Sequence, residues 1–287
     1  MTANMTVDAL LTSGWQRLQQ GDRGAGSAAR AAVLDAELLL AHVLAVPRAR
    51  LKSHAEATVE ASAAASFLAL IGRRAAGEPL AYLTGQREFW SLDLAVTPAV
   101  LIPRPETELL VEWALECLRG IEAPAIADLG TGSGAIALAL ARELPRARVV
   151  ATDASAEALE LAQANARALD LAQVELRRGD WCRALDGERF DLIVSNPPYV
   201  ADHDPHLADL RYEPRRALTA GPEGLDALHA ITATAQACLK PGATLVLEHG
   251  ATQGDAVRSL LAAHGYSGIA TRHDLAGLER ASGGAAP

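Results

Sequence analysis

A chain of 287 residues, half of them hydrophobic but only 4% aromatic, is long for one compact α/β domain and suits one such domain with a smaller companion. Its net charge of −9 lies wholly beyond residue 95, because residues 1–95 carry nine basic and nine acidic side chains; so acidic a C-terminal part opposes tight nucleic-acid binding, which needs a basic face. No apolar run reaches the roughly 18 residues of a membrane span, residues 1–11 lack a secretory-signal pattern, and Cys117, Cys182 and Cys238 form no CxxC pair, so a cytoplasmic chain in a reducing compartment is expected.

Residues 6–20 predict a first helix, with Leu10, Leu11, Trp15 and Leu18 near helical spacing. Residues 27–45 predict a second, stopped by the Val46-Pro47 step. Residues 57–75 predict a third, ahead of Gly77 and Pro79. Together they make a small helical domain over residues 1–84. Residues 88–96 alternate partly in the strand manner and lead into Thr97-Pro98, an inter-domain hairpin or arm within residues 85–110. Pro105 suits the first turn of a helix reaching about residue 119, and Glu106 and Glu108 favour its positive end.

From residue 124 strand and helix alternate. Strands are expected at 125–129, 149–152, 174–177, 192–195 and 244–248, and helices at 134–144, 155–169, 225–239 and 252–264. The strands are short unbroken apolar runs, as in a sheet covered on both faces. Repeated βα units imply an α/β fold with a doubly wound, mostly parallel sheet, which places the larger domain at residues 111–287.

Asp128-Leu129-Gly130-Thr131-Gly132-Ser133-Gly134 joins an expected strand to an expected helix. Glycines there let the backbone approach a ligand closely and accept positive φ. Asp153 ends the next strand, where a carboxylate can take both hydroxyls of a ribose. These residues alone do not name the ligand. Gly130, Gly132 and Ala135 also satisfy the G-x-G-x-x-[GA] spacing of nicotinamide cofactors, and a purely structural glycine turn stays open. Asp128 serves either a charged amino group of the ligand or the turn itself.

Ser195-Asn196-Pro197-Pro198-Tyr199 follows another expected strand. Asn196 offers a side-chain carbonyl, Pro197 a backbone carbonyl with no N–H to compete, and Tyr199 a flat aromatic face. Two acceptors and one stacking plane suit a planar group bearing NH2. The bland alternative is a proline turn with a packed tyrosine; a glycine loop and Asp153 at this spacing weigh against it.

With these segments in view, the chain resembles the release factor glutamine methyltransferase family, part of the class I S-adenosylmethionine-dependent methyltransferases. The matching segments are Tyr82-Leu83-Thr84-Gly85, Arg87-Glu88-Phe89-Trp90, Leu101-Ile102-Pro103-Arg104-Pro105-Glu106-Thr107-Glu108, residues 128–134, Gly179-Asp180-Trp181, residues 195–199 and Leu247-Glu248-His249-Gly250. They span nearly all of the chain beyond residue 80. The Asn-Pro-Pro-Tyr motif is shared with DNA adenine methyltransferases; the 101–108 segment ahead of the glycine loop is more selective. The resemblance implies that Gly130, Thr131, Gly132, Ser133 and Gly134 line S-adenosylmethionine and that Asp153 holds its ribose. It implies that Trp181 packs on the adenine with Asp180 at its amino edge. Asn196 would sit between cofactor and acceptor, and Asn196, Pro197, Pro198 and Tyr199 would hold the amide of a glutamine. The implied substrates are peptide chain release factors, with no direct nucleic-acid or membrane partner.

His203 and His206 beside Asp202 and Asp204 resemble a metal group, but no further ligand pattern supports one, and no metal is expected. Glu248-His249 reads as a structural or rim pair, and Arg104 with Glu106 as an inter-domain ion pair or helix cap in preference to a catalytic pair. Leu101 and Ile102 are expected to wall the acceptor pocket. The competing functions are adenine N6-methylation of DNA or RNA, which would want a basic cleft and a target-recognition insertion; a nicotinamide dehydrogenase, which leaves Asn-Pro-Pro-Tyr unexplained; and a non-catalytic adaptor.

Overall fold

Val7, Leu10, Gly14 and Leu18 recur at helical spacing and form the buried face of α1 (Val7–Gln19). Thr6 starts this helix, its hydroxyl accepting the Ala9 N–H at 3.2 Å. The computed structural model describes residues 5–20 and 27–287. Its contacts divide the chain into two units, Met1–Gly85 and Gln86–Pro287.

The first unit continues with α2 (Ser27–Leu44), α3 (Arg48–Ser53), α4 (Ala61–Ala75) and α5 (Leu80–Thr84). Leu10, Leu39, Leu40, Phe67 and Ile71 meet in its core, each essentially inaccessible to solvent. The third expected helix starts at residue 61, not 57. Residues 57–59 instead pair with the chain ahead of α1: the Val59 N–H reaches Met5 O at 2.9 Å and the Val7 N–H reaches Ala57 O at 3.0 Å. The short helices α3 and α5 were not foreseen; at six and five residues they are too brief to show a period.

The second unit opens with an antiparallel hairpin, β1 (Gln86–Phe89) and β2 (Leu92–Ala95). Its turn residues Trp90 and Ser91 both have positive φ, 52° and 57°, which matches the right-handed twist of paired strands. Phe89, Leu92 and Leu94 are buried in the main core. A tight turn over Pro105–Thr107 leads into α6 (Glu108–Cys117). Then come β3 (Ala125–Leu129), α7 (Ala135–Glu143), β4 (Arg148–Asp153), α8 (Ala156–Ala168), β5 (Glu175–Arg178) and β6 (Phe190–Ser195). The unit ends with α9 (Asp226–Ala235), β7 (Leu239–Glu248), α10 (Gly254–Ala263), β8 (Ser267–His273) and β9 (Glu279–Ala285).

These strands form a seven-stranded sheet of order β5-β4-β3-β6-β7-β9-β8. The first five run parallel, and β9 is antiparallel to both of its neighbours. Apolar side chains cover both faces, which explains the unbroken apolar runs. The two C-terminal strands were missed because they lack that signal. Five of the seven residues of β9 are Ala, Ser or Gly, yet it lies inside the sheet. A Cβ at Gly283 would sit 2.6 Å from the Leu245 carbonyl oxygen, so this strand must be small to fit. Among the described residues no helix is long and apolar enough to cross a membrane.

Asn165 on α8 is a buried polar tie that periodicity could not reveal. Its Oδ1 accepts the Ala95 N–H at 2.8 Å, and its Nδ2 donates to Ala95 O at 3.0 Å and Ser133 O at 2.9 Å. One side chain thus fastens both the hairpin and the glycine loop to α8. Asn165→Ala leaves those backbone groups unpaired, at a cost of about 2–3 kcal/mol. Denaturant unfolding should show the loss, and hydrogen exchange at the Ala95 amide should speed up; unchanged exchange there would refute the tie.

Candidate active site

The chain runs from β3 out to β5 on one side and then returns to β6 on the other, so the order reverses beside β3. In such sheets the crevice at that reversal opens beyond the carboxyl ends of the strands. The register fills it. Leu129 pairs with Thr152 on one side and Ser195 on the other, and Ser195 pairs with Leu247. The next residue of each strand therefore falls in one row: Asp153, Gly130, Asn196 and Glu248.

The glycine loop is shaped by its own backbone. The Gly130 and Thr131 N–H groups both donate to Thr152 O at 2.9 Å. Gly130 has φ +75°, and a Cβ there would lie 3.3 Å from the Trp181 ring, so glycine keeps the turn open beside that ring. Asp153 Oδ2 accepts the Gly132 N–H at 2.9 Å, and its Oδ1 accepts the Ser155 N–H at 2.8 Å. Its carboxylate is therefore anchored, with further lone pairs left on both oxygens.

Asp153, Gly130 and Asn196 of this row line a cavity of about 240 Å³; Glu248 does not. Of the residues singled out from sequence, Gly130, Thr131, Gly132, Ser133, Asp153, Asp180, Trp181, Asn196 and Pro198 line it. Gly134, Pro197 and Tyr199 do not. Gly134, with φ +88°, leads into α7 and packs on Leu138. Pro197 is buried, and Tyr199 is held from behind: its backbone carbonyl accepts the Gln253 side-chain N–H at 3.0 Å. Leu101 lines the cavity, whereas Ile102 is buried outside it.

Asp128 is fully buried and supports the turn. Its Oδ2 accepts the Thr131 hydroxyl at 2.6 Å and the Ala137 N–H at 3.2 Å, while Oδ1 has no partner among the described residues. Burial pushes its carboxyl up to about 7. His203 and His206 are exposed; His206 Nδ1 meets Asp204 at 2.8 Å, and among the described residues no group of three or more His, Cys, Asp or Glu is placed to hold a metal ion.

Sequence reasoning missed the partners of three groups. Of the structural and rim roles expected for Glu248, burial leaves the structural one: it is 1% exposed. Its Oε2 accepts the Thr107 hydroxyl at 2.7 Å and its Oε1 accepts the Tyr199 hydroxyl at 3.2 Å, and the Asn196 Nδ2 donates to Thr107 Oγ1 at 3.1 Å. Arg104 bonds the buried Glu213, whose other oxygen accepts the Ile102 N–H at 3.1 Å, all within the second unit. Arg216 lines the cavity and reaches Ser155 Oγ at 2.5 Å. Thr107, Arg104 and Glu248 lie in segments quoted for the resemblance, but nothing in the sequence paired them, and Glu213 was not singled out.

Residues 106–211 match the methyltransferase small domain model, and residues 11–85 match the PrmC N-terminal domain. The release factor glutamine methyltransferase of Xylella fastidiosa is 51% identical over 281 residues, covering 97% of this chain and 98% of that one. That of Burkholderia pseudomallei is 54% identical over 262 residues, covering 88% and 92%. The chain belongs to the release factor glutamine methyltransferase family. A methyltransferase from Pyrococcus furiosus shares the fold, with a TM-score of 0.51 at 21% identity over 68% of this chain and 88% of that one.

Glu213 ties down the segment that carries the cavity-lining Leu101 and Pro103. Removing its carboxylate strands the Ile102 N–H and the Arg104 guanidinium in a half-buried place, at about 2–3 kcal/mol. Glu213→Ala should lower stability by that amount and expose residues 97–104 to limited proteolysis; wild-type cleavage rates would show that Glu213 does not hold the wall.

Proposed function

We propose that this chain transfers a methyl group from S-adenosylmethionine to the side-chain amide nitrogen, N5, of the glutamine in the Gly-Gly-Gln motif of peptide chain release factors. The observation that carries this reading is the row of Asp153, Gly130 and Asn196 around one cavity in a member of this family. The residues present fit the cofactor. A glycine-built turn leaves room beside Trp181, Asp153 keeps acceptor capacity for a ribose, and Asp128 Oδ1 is a buried acceptor still lacking a donor.

In this reading Gly130, Thr131, Gly132, Ser133 and Gly134 form the cofactor turn, Asp153 takes the ribose hydroxyls, and Trp181 and Asp180 take the adenine. S-adenosylmethionine, when bound, supplies a methyl group already made electrophilic by its sulfonium. The chain therefore has no need of a strong general base or a metal; its task is to orient a poorly nucleophilic amide, which is orientation catalysis. Asn196 Oδ1 and the Pro197 carbonyl accept the amide N–H groups. Those N–H groups become more acidic as the new bond forms, so the acceptors bind the transition state more strongly than the ground state. Tyr199 offers its ring to the partly positive methyl, and Pro198 closes the loop. The proton leaves to water.

The helical unit, residues 1–84, and the arm at 85–110 are assigned the grip on the rest of the factor, because three residues in a pocket give little specificity. The two glycines of the motif let its loop enter without side chains at the mouth. Cytoplasmic placement follows from a substrate of the translation machinery. Partners are protein, with no nucleic acid or membrane.

Asp153→Ala should weaken S-adenosylmethionine binding by roughly 1–3 kcal/mol in calorimetry; unchanged affinity in a folded variant would remove Asp153 from the ribose. Incubating the full chain with release factor and methyl-labelled cofactor, then mapping peptides, should put the label on the Gly-Gly-Gln glutamine. Label on nucleic acid, or labelling that persists after that glutamine is replaced, would overturn the assignment.

A further inference from the structure

We propose that Glu248 is a positioning residue: through Thr107 it decides which end of the Asn196 side-chain amide faces the ligand, and through Tyr199 it holds the neighbouring ring. The inference rests on the methyl-transfer reading above.

An ionised carboxylate can only accept hydrogen bonds, so the Thr107 hydroxyl, 2.7 Å from Glu248 Oε2, must spend its single proton there. The Thr107 oxygen is then left as an acceptor. The Asn196 amide, 3.1 Å away, must turn its NH2 toward that oxygen. Its carbonyl Oδ1, which finds no partner among the described residues, is thereby left for a ligand in the cavity that Asn196 lines. The two ends of an asparagine amide are nearly equal in shape, and only their hydrogen-bond partners distinguish them. Turned over, Asn196 would present NH2 to an incoming NH2, donor against donor. The relay from Glu248 through Thr107 forbids that orientation.

Tyr199 completes the arrangement by donating its hydroxyl to Glu248 Oε1 at 3.2 Å. Burial, reinforced by the Glu248 charge, holds the tyrosine phenol above its ordinary range, so it remains a donor. Both Glu248 oxygens are thus engaged, one by Thr107, which lines the cavity, and the other by Tyr199, three residues beyond Asn196.

The relay has a pH signature. Burial lifts the Glu248 carboxyl to about 7 and Glu106 adds to the lift, while Thr107, Tyr199 and Arg280 on β9 oppose it. His249, next in the chain, is engaged elsewhere, its ring nitrogens on Gly250 O and Ser282 Oγ at 2.9 Å each. Once protonated, Glu248 can donate to Thr107, reverse the relay and let Asn196 turn over. Ionisation is the competent state, so turnover should rise as pH increases through about 7.

The test is kcat of the full chain at saturating S-adenosylmethionine and release factor, measured across that pH. Glu248→Gln keeps the shape but can donate to Thr107; kcat should fall about 100-fold and the rise through neutrality should vanish. Thr107→Val removes the relay and should fall similarly, whereas Thr107→Ser, which keeps the hydroxyl, should retain most turnover. The threonine pair carries the test if Glu248→Gln does not fold. Wild-type turnover in Glu248→Gln or Thr107→Val, or the wild-type pH rise persisting in Glu248→Gln, would overturn the proposal. The two readings fail separately: if the wild-type chain methylates another NH2 group, the glutamine assignment falls, and the same variants compared on that acceptor still decide the relay.

Discussion

The register of four parallel strands governs everything at this site. Each hydrogen-bonded ladder between β4, β3, β6 and β7 fixes its neighbour to the residue, because a slip of one would turn every side chain to the opposite face. The apolar runs forbid that slip: Ala127, Val150, Ile193 and Leu245 are all fully buried in the sheet. The row Asp153, Gly130, Asn196 and Glu248 is thus positioned by the core rather than by the loops that carry the chemistry. Loops are mobile by default, and a site that needs a narrow geometry gains from starting at the end of a rigid strand or one residue beyond it.

Three carboxylates in this unit are buried, and each is stabilised in a different way. Glu213 has an arginine and a backbone N–H. Glu248 has two hydroxyls, with a guanidinium in its field. Asp128 has one hydroxyl and one backbone N–H, and a remaining oxygen with no partner. An ionised carboxylate without enough donors responds by raising its pKa rather than by accepting the full desolvation cost. Glu248 and Asp128 do so, each to about 7. Both stand next to the cavity-lining residues, Asn196 through Thr107 and Thr131 directly, so the under-satisfied acids are also those nearest the proposed chemistry.

The parallel sheet was legible in the sequence because its strands are apolar runs and its glycine loop and Asn-Pro-Pro-Tyr segment lie at strand ends. The two C-terminal strands were not legible. Ser282, Gly283 and Gly284 pack against Leu247, Val246 and Leu245 as a thin layer that lacks the β-branched side chains by which strands are recognised. Site residues that act locally were visible for the same reason: a glycine loop declares itself by composition. Glu248, Thr107, Glu213 and Asn165 were not, because each works through a partner between 49 and 141 residues away. Glu248 and Thr107 lie in segments that carry the resemblance, but a buried acid has no periodicity of its own, and only the folded chain brings the Thr107 hydroxyl to Glu248.

The segment 101–108 shows why such long-range partners matter. It has little regular structure of its own, only a short turn at Pro105–Thr107. It is fastened at two points by acids from elsewhere in the chain: Glu213 takes Ile102 and Arg104, and Glu248 takes Thr107. The first attachment holds the cavity wall that includes Leu101 and Pro103; the second reaches Asn196. The prolines at 103 and 105 limit the backbone between these points, so neither attachment is easily lost without disturbing the other. This accounts physically for a proline-rich segment well ahead of the glycine loop. It couples the shape of the cavity to the polarity of Asn196, which lines it.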